Sequence, residues 1–238
     1  MSGHSKWANI KRKKEANDKV KGNVFAKLSR VITLAVIEGG GIGDPNLNTK
    51  LRLAIEKAQS ANMPKDNIKR AIERGMGPQK DQLKEVVYEG FGPYGVSLMI
   101  LATTDNPNRT LTELRTNLEK HGGKLANQGA VSYQFKKCAL IIFNKQVVNQ
   151  DQIFEVSDKL GAFDLDEDEA KYYLYFPYEL MGHVKEKIGD ISYEALEVEF
   201  KPQVKMEIND ENKVNEIFQL VEFLESFDDI QKVFTNLG

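Results

Sequence analysis

The chain has 238 residues, 41% hydrophobic and 29% charged, with a net charge of −2, one cysteine and one tryptophan. That balance excludes a disordered chain, and the length suits one or two domains with a real core. Cys138 stands alone, which excludes an intrachain disulfide framework and a cysteine-built zinc site and suits a reducing compartment.

The longest apolar stretches, within 96–102 and 138–143, fall far short of the ~20 residues of a membrane helix. The first residues are basic and polar, without the apolar segment of a secretory signal. A cytoplasmic protein with no membrane partner is expected. The small net charge conceals a strong asymmetry along the chain. Residues 1–75 carry 16 Lys and Arg against 7 Asp and Glu, residues 76–140 carry 8 against 6, and residues 141–238 carry 9 against 22. A basic front and an acidic back predict that the front faces phosphate and the back avoids it.

In chain order, residues 1–22 hold the run Lys11-Arg12-Lys13-Lys14, with Lys6, Trp7, Asn9, Lys19 and Lys21 around it. They show no sustained amphipathic period and read as a basic arm. Phe25, Leu28, Ile32 and Ala35 predict a helix over 23–38, ended by Gly39-Gly40-Gly41. Leu51, Ala54, Ile55 and Ala58 predict a second helix, and Pro64 opens a third carrying Ile68, Ala71 and Ile72. The period then switches to that of strands at 86–91 and 96–104 around Gly92-Pro93-Tyr94-Gly95. A helix with Leu111, Leu114 and Leu118 follows, then a strand at 130–135.

From Cys138 the order is strand 138–143, helix 150–160, strands 162–166 and 171–176, helix 178–188 and strand 193–200, the βαββαβ order of a ferredoxin-like unit. A strand at 204–208, a helix over 214–224 and a strand at 230–234 close the chain. The expected fold class is therefore α+β: an all-α three-helix domain plus two ferredoxin-like α/β domains, one inserted into the other. The expected boundaries are 1–78 for the basic helical domain, 79–136 with 206–238 for the discontinuous domain, and 137–205 for the insert.

Catalytic constellations are not legible. His4, His121 and His183 fall in three different units, and Cys138 starts an apolar strand as a core thiol would. The glycines at 39–43 follow a helix, and no Gly-Lys-Ser/Thr comes after them, so they do not form a phosphate loop. The acids at 164–169 lack the glycine and final glutamate of a calcium loop. Gly90-Phe91-Gly92 departs from an RNA-binding strand signature at Glu89 and Pro93. Tyr173 and Tyr175 share a strand face in the acidic segment, which suits packing better than base stacking. No enzyme activity, metal or cofactor is expected.

The basic third carries the functional reading. Clustered Lys and Arg neutralise phosphates and release counterions whatever the base sequence, and Trp7 beside Lys6 offers a stacking surface. The nucleic-acid-binding candidates are Lys6, Trp7, Asn9, Lys11, Arg12, Lys13, Lys14, Lys19, Lys21, Lys27, Arg30, Arg52, Lys65, Lys69 and Arg70. The acidic units are expected to face solvent or a protein partner.

Several segments resemble the YebC/PmpR family closely. They include Gly3-His4-Ser5-Lys6-Trp7-Ala8-Asn9-Ile10-Lys11, Gly39-Gly40-Gly41 with Asp44-Pro45, and Leu51-Arg52-Leu53-Ala54-Ile55. Ala61-Asn62-Met63-Pro64-Lys65-Asp66-Asn67-Ile68, Tyr88-Glu89-Gly90-Phe91 and Thr104-Asp105-Asn106 with Asn108-Arg109-Thr110 continue the match over essentially the whole length. The resemblance implies a three-domain cytosolic protein, helical first, with one α/β domain inserted in the other. It implies DNA-binding transcriptional regulation. Other members, including the mitochondrial translational activator of cytochrome oxidase, imply translation regulation on the ribosome and its RNA. Ile42-Gly43 extends the glycine loop, and Pro107 stands where the family pattern often has a basic residue, which removes one candidate phosphate ligand.

Overall fold

The structure, a computed structural model, describes residues 24–78 and 83–238 in full and the backbone alone at 21–23. Three helices come first: α1 (Lys21–Glu38), α2 (Thr49–Ser60) and α3 (Lys65–Met76). Their apolar stripes meet in one core of Leu28, Ile32, Ala35 and Val36 from α1, Leu51, Ala54 and Ala58 from α2, and Ile68 and Ala71 from α3. Gly75 lets α1 and α3 touch, because a Cβ there would lie 2.6 Å from the Val36 Cβ. Gly40 and Gly41 take φ of 73° and 85°, and the Gly41 N–H returns to the Val36 carbonyl at 2.9 Å, closing α1 in the left-handed cap that glycine favours.

Two four-stranded antiparallel sheets follow. The first is built from β1 (Lys84–Phe91), β2 (Ser97–Thr104), β3 (Lys124–Ala126) and β8 (Ile230–Thr235), in the order β3-β1-β2-β8. Helices α4 (Pro107–Lys120) and α7 (Glu211–Glu225) cover one face, packing Leu114, Leu118, Ile217, Phe218, Val221 and Leu224 on Leu98, Ile100 and Val233. The second is built from β4 (Phe135–Asn144), β5 (Asp164–Glu167), β6 (Lys171–Pro177) and β7 (Ala195–Pro202), in the order β5-β6-β4-β7. Helices α5 (Gln150–Leu160) and α6 (Val184–Ile188) pack on it through Ile153, Val156, Leu160, Val184 and Ile188. The sheets meet where Met99 and Phe234 of the first touch Phe135 and Phe200 of the second. The fold class is α+β, as the periodicities predict.

Five elements differ from the sequence reading, the first being β3 (Lys124–Ala126), a strand the sequence reading does not contain. The strand expected at 130–135 is a loop ending in a 3-10 turn (Ser132–Gln134), and β4 starts at Phe135. The cause is Glu89: its carboxylate accepts from the N–H groups of Gly129 and Val131 at 2.7 Å and of Ser132 at 2.9 Å, so these amides cannot join a ladder. The helix expected over 178–188 is a 3-10 turn (Tyr178–His183) before α6, with Gly182 interrupting the helical run. The strand expected from residue 162 begins at Asp164. The strand expected at 204–208 contributes one bridge, Met206 to Leu237.

Candidate nucleic-acid interface

The candidates Lys6, Trp7, Asn9, Lys11, Arg12, Lys13, Lys14 and Lys19, and the side chain of Lys21, lie outside the described residues. The other six divide into two groups. Lys27, Arg30 and Arg52 face the protein. The Lys27 ammonium donates to the Glu225 carbonyl oxygen, and burial pulls its pKa down against the pull of Glu225 and Asp228. Arg30 pairs with Asp229 at 2.8 Å and reaches the Thr103 carbonyl at 3.4 Å. Arg52 pairs with Glu56 at 3.2 Å.

Lys65, Lys69 and Arg70 face solvent on α3. The helix is strongly two-sided: Ile68, Ala71 and Gly75 are buried, while Lys65, Lys69, Arg70 and Arg74 are all exposed. Lys69 lies 3.9 Å from Glu73, an exposed pair worth about 0–1 kcal/mol, so its charge remains available. Arg74 is absent from the sequence candidates, although its position four residues after Arg70 puts both on one helix face. The turn between α2 and α3 has four residues, Ala61–Pro64, the length used in helix-turn-helix units.

The inward-facing cations fix the helical unit onto both sheets. Asp229 is the hub against the first sheet. Its side chain is 6% exposed and accepts from Arg30 at 2.8 Å, Arg109 at 2.9 Å, Thr104 at 3.0 Å and Thr110 at 2.7 Å. Burial alone would raise its pKa, but the donors from Arg109, Thr110 and Thr104 with the charge of Arg30 hold it below the usual value. Glu197 is the hub against the second sheet. It meets Lys57 of α2 at 3.0 Å and Lys232 of β8 at 3.2 Å, and Lys57 foremost holds its carboxyl far below the usual range despite burial. Beside it the Tyr193 hydroxyl donates to Glu56 at 3.1 Å, and burial with that carboxylate pushes the phenol up to about 12.

The remaining reactive residues are accounted for by packing. Burial, then Glu199, pushes the Cys138 thiol up to about 11, which leaves it a neutral core group. Tyr173 and Tyr175 are buried with Cys138 and Leu140, and the Tyr173 hydroxyl donates to Asp168 at 2.7 Å. Among the described residues no three His, Cys, Asp or Glu side chains could together hold a metal ion, and no helix is long and apolar enough to cross a membrane.

The N-terminal domain of the TACO1/YebC protein matches residues 5–78, and the TACO1/YebC second and third domain matches residues 83–237. The chain belongs to the TACO1/YebC family. Relatives include a "Probable transcriptional regulatory protein" of Persephonella marina, 43% identical over 99% of this chain and 95% of its own. Another of that name, from Aquifex aeolicus, is 41% identical over the same shares. The crystal structure titled as a conserved hypothetical protein, Aq1575, from Aquifex aeolicus is similar at a TM-score of 0.83 and 38% identity, covering 93% of this chain and 91% of that one. These family relatives carry the name of regulators.

Proposed function

We infer that this protein is a non-enzymatic, cytoplasmic regulator of gene expression that binds nucleic acid through the outer face of α3 together with the basic run Lys11–Lys14. The observation that carries this reading is the α3 face itself, with four exposed cations on one side of a twelve-residue helix whose other side is core. Lys6, Trp7, Asn9, Lys19 and Lys21 extend the same interface along the chain. Lys27 and Arg30 serve it indirectly, by fixing the helical unit in place, and Arg52 pairs within its own helix. The domains of this reading are 1–78, 79–136 with 206–238, and 137–205, the last two turned toward solvent or protein.

Duplex DNA is the first partner we assign. Two features support it: the two helices joined by a four-residue turn, and the names of the relatives. Ribosomal RNA is the second reading, favoured by one hydrogen bond. Asn67, the one side chain on α3 suited to reading adenine, is engaged by Arg70 at 2.5 Å, and the cations beside it can grip a backbone of any sequence.

Replacing Lys65, Lys69, Arg70 and Arg74 together by Ala is expected to leave the melting curve unchanged, since all four are exposed. The slope of log affinity against log salt should fall by roughly 2–4, at about 0.7–0.9 for each phosphate that is no longer neutralised. The same reduction is expected for Lys11, Arg12, Lys13 and Lys14. A slope that does not move in the α3 variant would remove that face from the interface.

A further inference from the structure

The loop between α1 and α2 displays apolar side chains on a rigid frame. Asn48, buried at its centre, donates from Nδ2 to the carbonyls of Ala35 at 2.9 Å and Ile42 at 3.2 Å, and its Oδ1 accepts from the Leu51 N–H at 3.1 Å. Asp44 Oδ1 accepts from the Asn46 N–H at 2.9 Å, and the Leu47 N–H donates to the Asp44 carbonyl at 3.1 Å. A loop tied at both ends in this way could tuck its apolar residues inward. It does the reverse: Leu47 is 74% exposed, above every other large apolar side chain among the described residues, and Ile42 is 42% exposed.

The patch continues onto α3. Met76 is 49% exposed, and Gly43 lies so close that a Cβ there would come within 2.7 Å of the Met76 Sδ. Lys65, Lys69, Ile72 and Met76 follow one line of α3 at spacings of four, three and four residues. The apolar end is thus continuous with the cation stripe. Residues 24–78 carry nine Lys and Arg against five Asp and Glu, and Glu38, the acid ending α1, is neutralised by Lys50 at 2.6 Å.

Large apolar side chains left exposed on one loop and on the helix end beside it mark a surface that is buried against something, and the charge on α3 selects a polyanion. Leu, Ile and Met are among the side chains that wedge between base steps when a basic surface holds the backbone. We propose that Ile42, Leu47 and Met76 form an apolar wedge that packs against unstacked bases of the nucleic acid gripped by the α3 cations. This deepens the nucleic-acid reading and rests on it. The cations supply the salt-dependent grip, and the wedge selects sites where bases open cheaply.

The test uses the full chain with two fluorescent probes, a DNA duplex and a bulged RNA hairpin, each carrying 2-aminopurine, whose emission rises when it unstacks. The wild type is expected to raise the emission of the probe it binds. The triple variant Ile42→Ser, Leu47→Ser, Met76→Ser is expected to abolish that rise and weaken binding about tenfold or more, with the salt slope unchanged because the cations remain. Leu47→Ser alone, at the most exposed site, controls for folding through an unchanged melting curve. Full binding and emission in the triple variant would overturn the wedge while leaving the nucleic-acid reading intact. A triple variant that binds fully but turns a dimer into a monomer would overturn it in favour of a second copy of the chain. A wild type that binds neither probe would sink the nucleic-acid reading and the wedge together.

Discussion

Replacing Asp229 by Ala is expected to lower stability by about 3 kcal/mol and the thermal midpoint by roughly 6–12 °C. The carboxylate is 6% exposed and holds Arg30, Arg109, Thr104 and Thr110 together. Its removal leaves two guanidiniums and two buried hydroxyls without their acceptor. Arg109 is half exposed and can rehydrate, which keeps the cost at the lower end of the range for broken buried pairs. Because the folded carboxyl titrates below its unfolded value of about 3.9, its contribution is complete at neutral pH. It is lost as pH falls from about 4 through the lower folded pKa, so the gap between wild type and variant should narrow in acid. Asp229→Asn, which keeps one acceptor oxygen, should fall between the two. Melting curves from neutral pH to pH 3 check this, and an unchanged midpoint in the alanine variant would show that the hub contributes nothing.

A second large effect is expected at Glu89. Its buried carboxylate satisfies three backbone N–H groups of the loop before β4. Burial would raise its pKa, but these donors outweigh that and hold it low. Glu89→Ala strands the donors of Val131 and Ser132, each unsatisfied group costing about 1–3 kcal/mol, while Gly129 is exposed and can turn to water. A net loss of about 2–4 kcal/mol is expected. Amide exchange at Val131 and Ser132 should accelerate more than exchange in α5, whose Ile153, Val156 and Leu160 pack in the core of the second sheet and not against that loop. Uniform acceleration would mean that Glu89 supports global packing and not the loop.

These two carboxylates show where sequence reading stops. The helices of the first unit were legible because Leu28, Ile32 and Ala35, or Ile68, Ala71 and Ile72, repeat at helical spacing between glycine and proline stops. The second sheet was legible through the short apolar runs at Cys138–Phe143 and Tyr172–Phe176 between turn and helix signals. Glu89 was visible only within the Tyr88–Phe91 family segment and as a mismatch to a basic RNA-binding signature, neither of which names its partners. Its partners lie forty residues away, and alternation alone made 130–135 look like a strand. Asp229 carries no local signal at all, since its partners come from α1, β2 and α4.

The candidate site was half legible for the same reason. Composition marks the first 75 residues as basic, but it does not distinguish a cation aimed at phosphate from one aimed at a carboxylate. Arg30 reads like Lys65 and Arg70 in the sequence, and only the fold places Asp229 beside it, whereas the Arg52–Glu56 pair is an i,i+4 spacing that the sequence already holds. Leu47 gives no signal because one apolar residue in a loop has no period. Its exposure depends on Asn48 and Asp44 fixing the turn beneath it.

The basic helical unit is expected to bind nucleic acid in the cell. Ultraviolet crosslinking in living cells, followed by purification of the protein and sequencing of whatever stays attached, tests it most directly. Discrete nucleic-acid fragments are expected, promoter DNA on the first reading and ribosomal RNA on the second, with crosslinked peptides mapping to residues 1–78. Recovery no greater than from the variant lacking the Lys11–Lys14 and α3 cations, or crosslinks confined to residues 141–238, would contradict it.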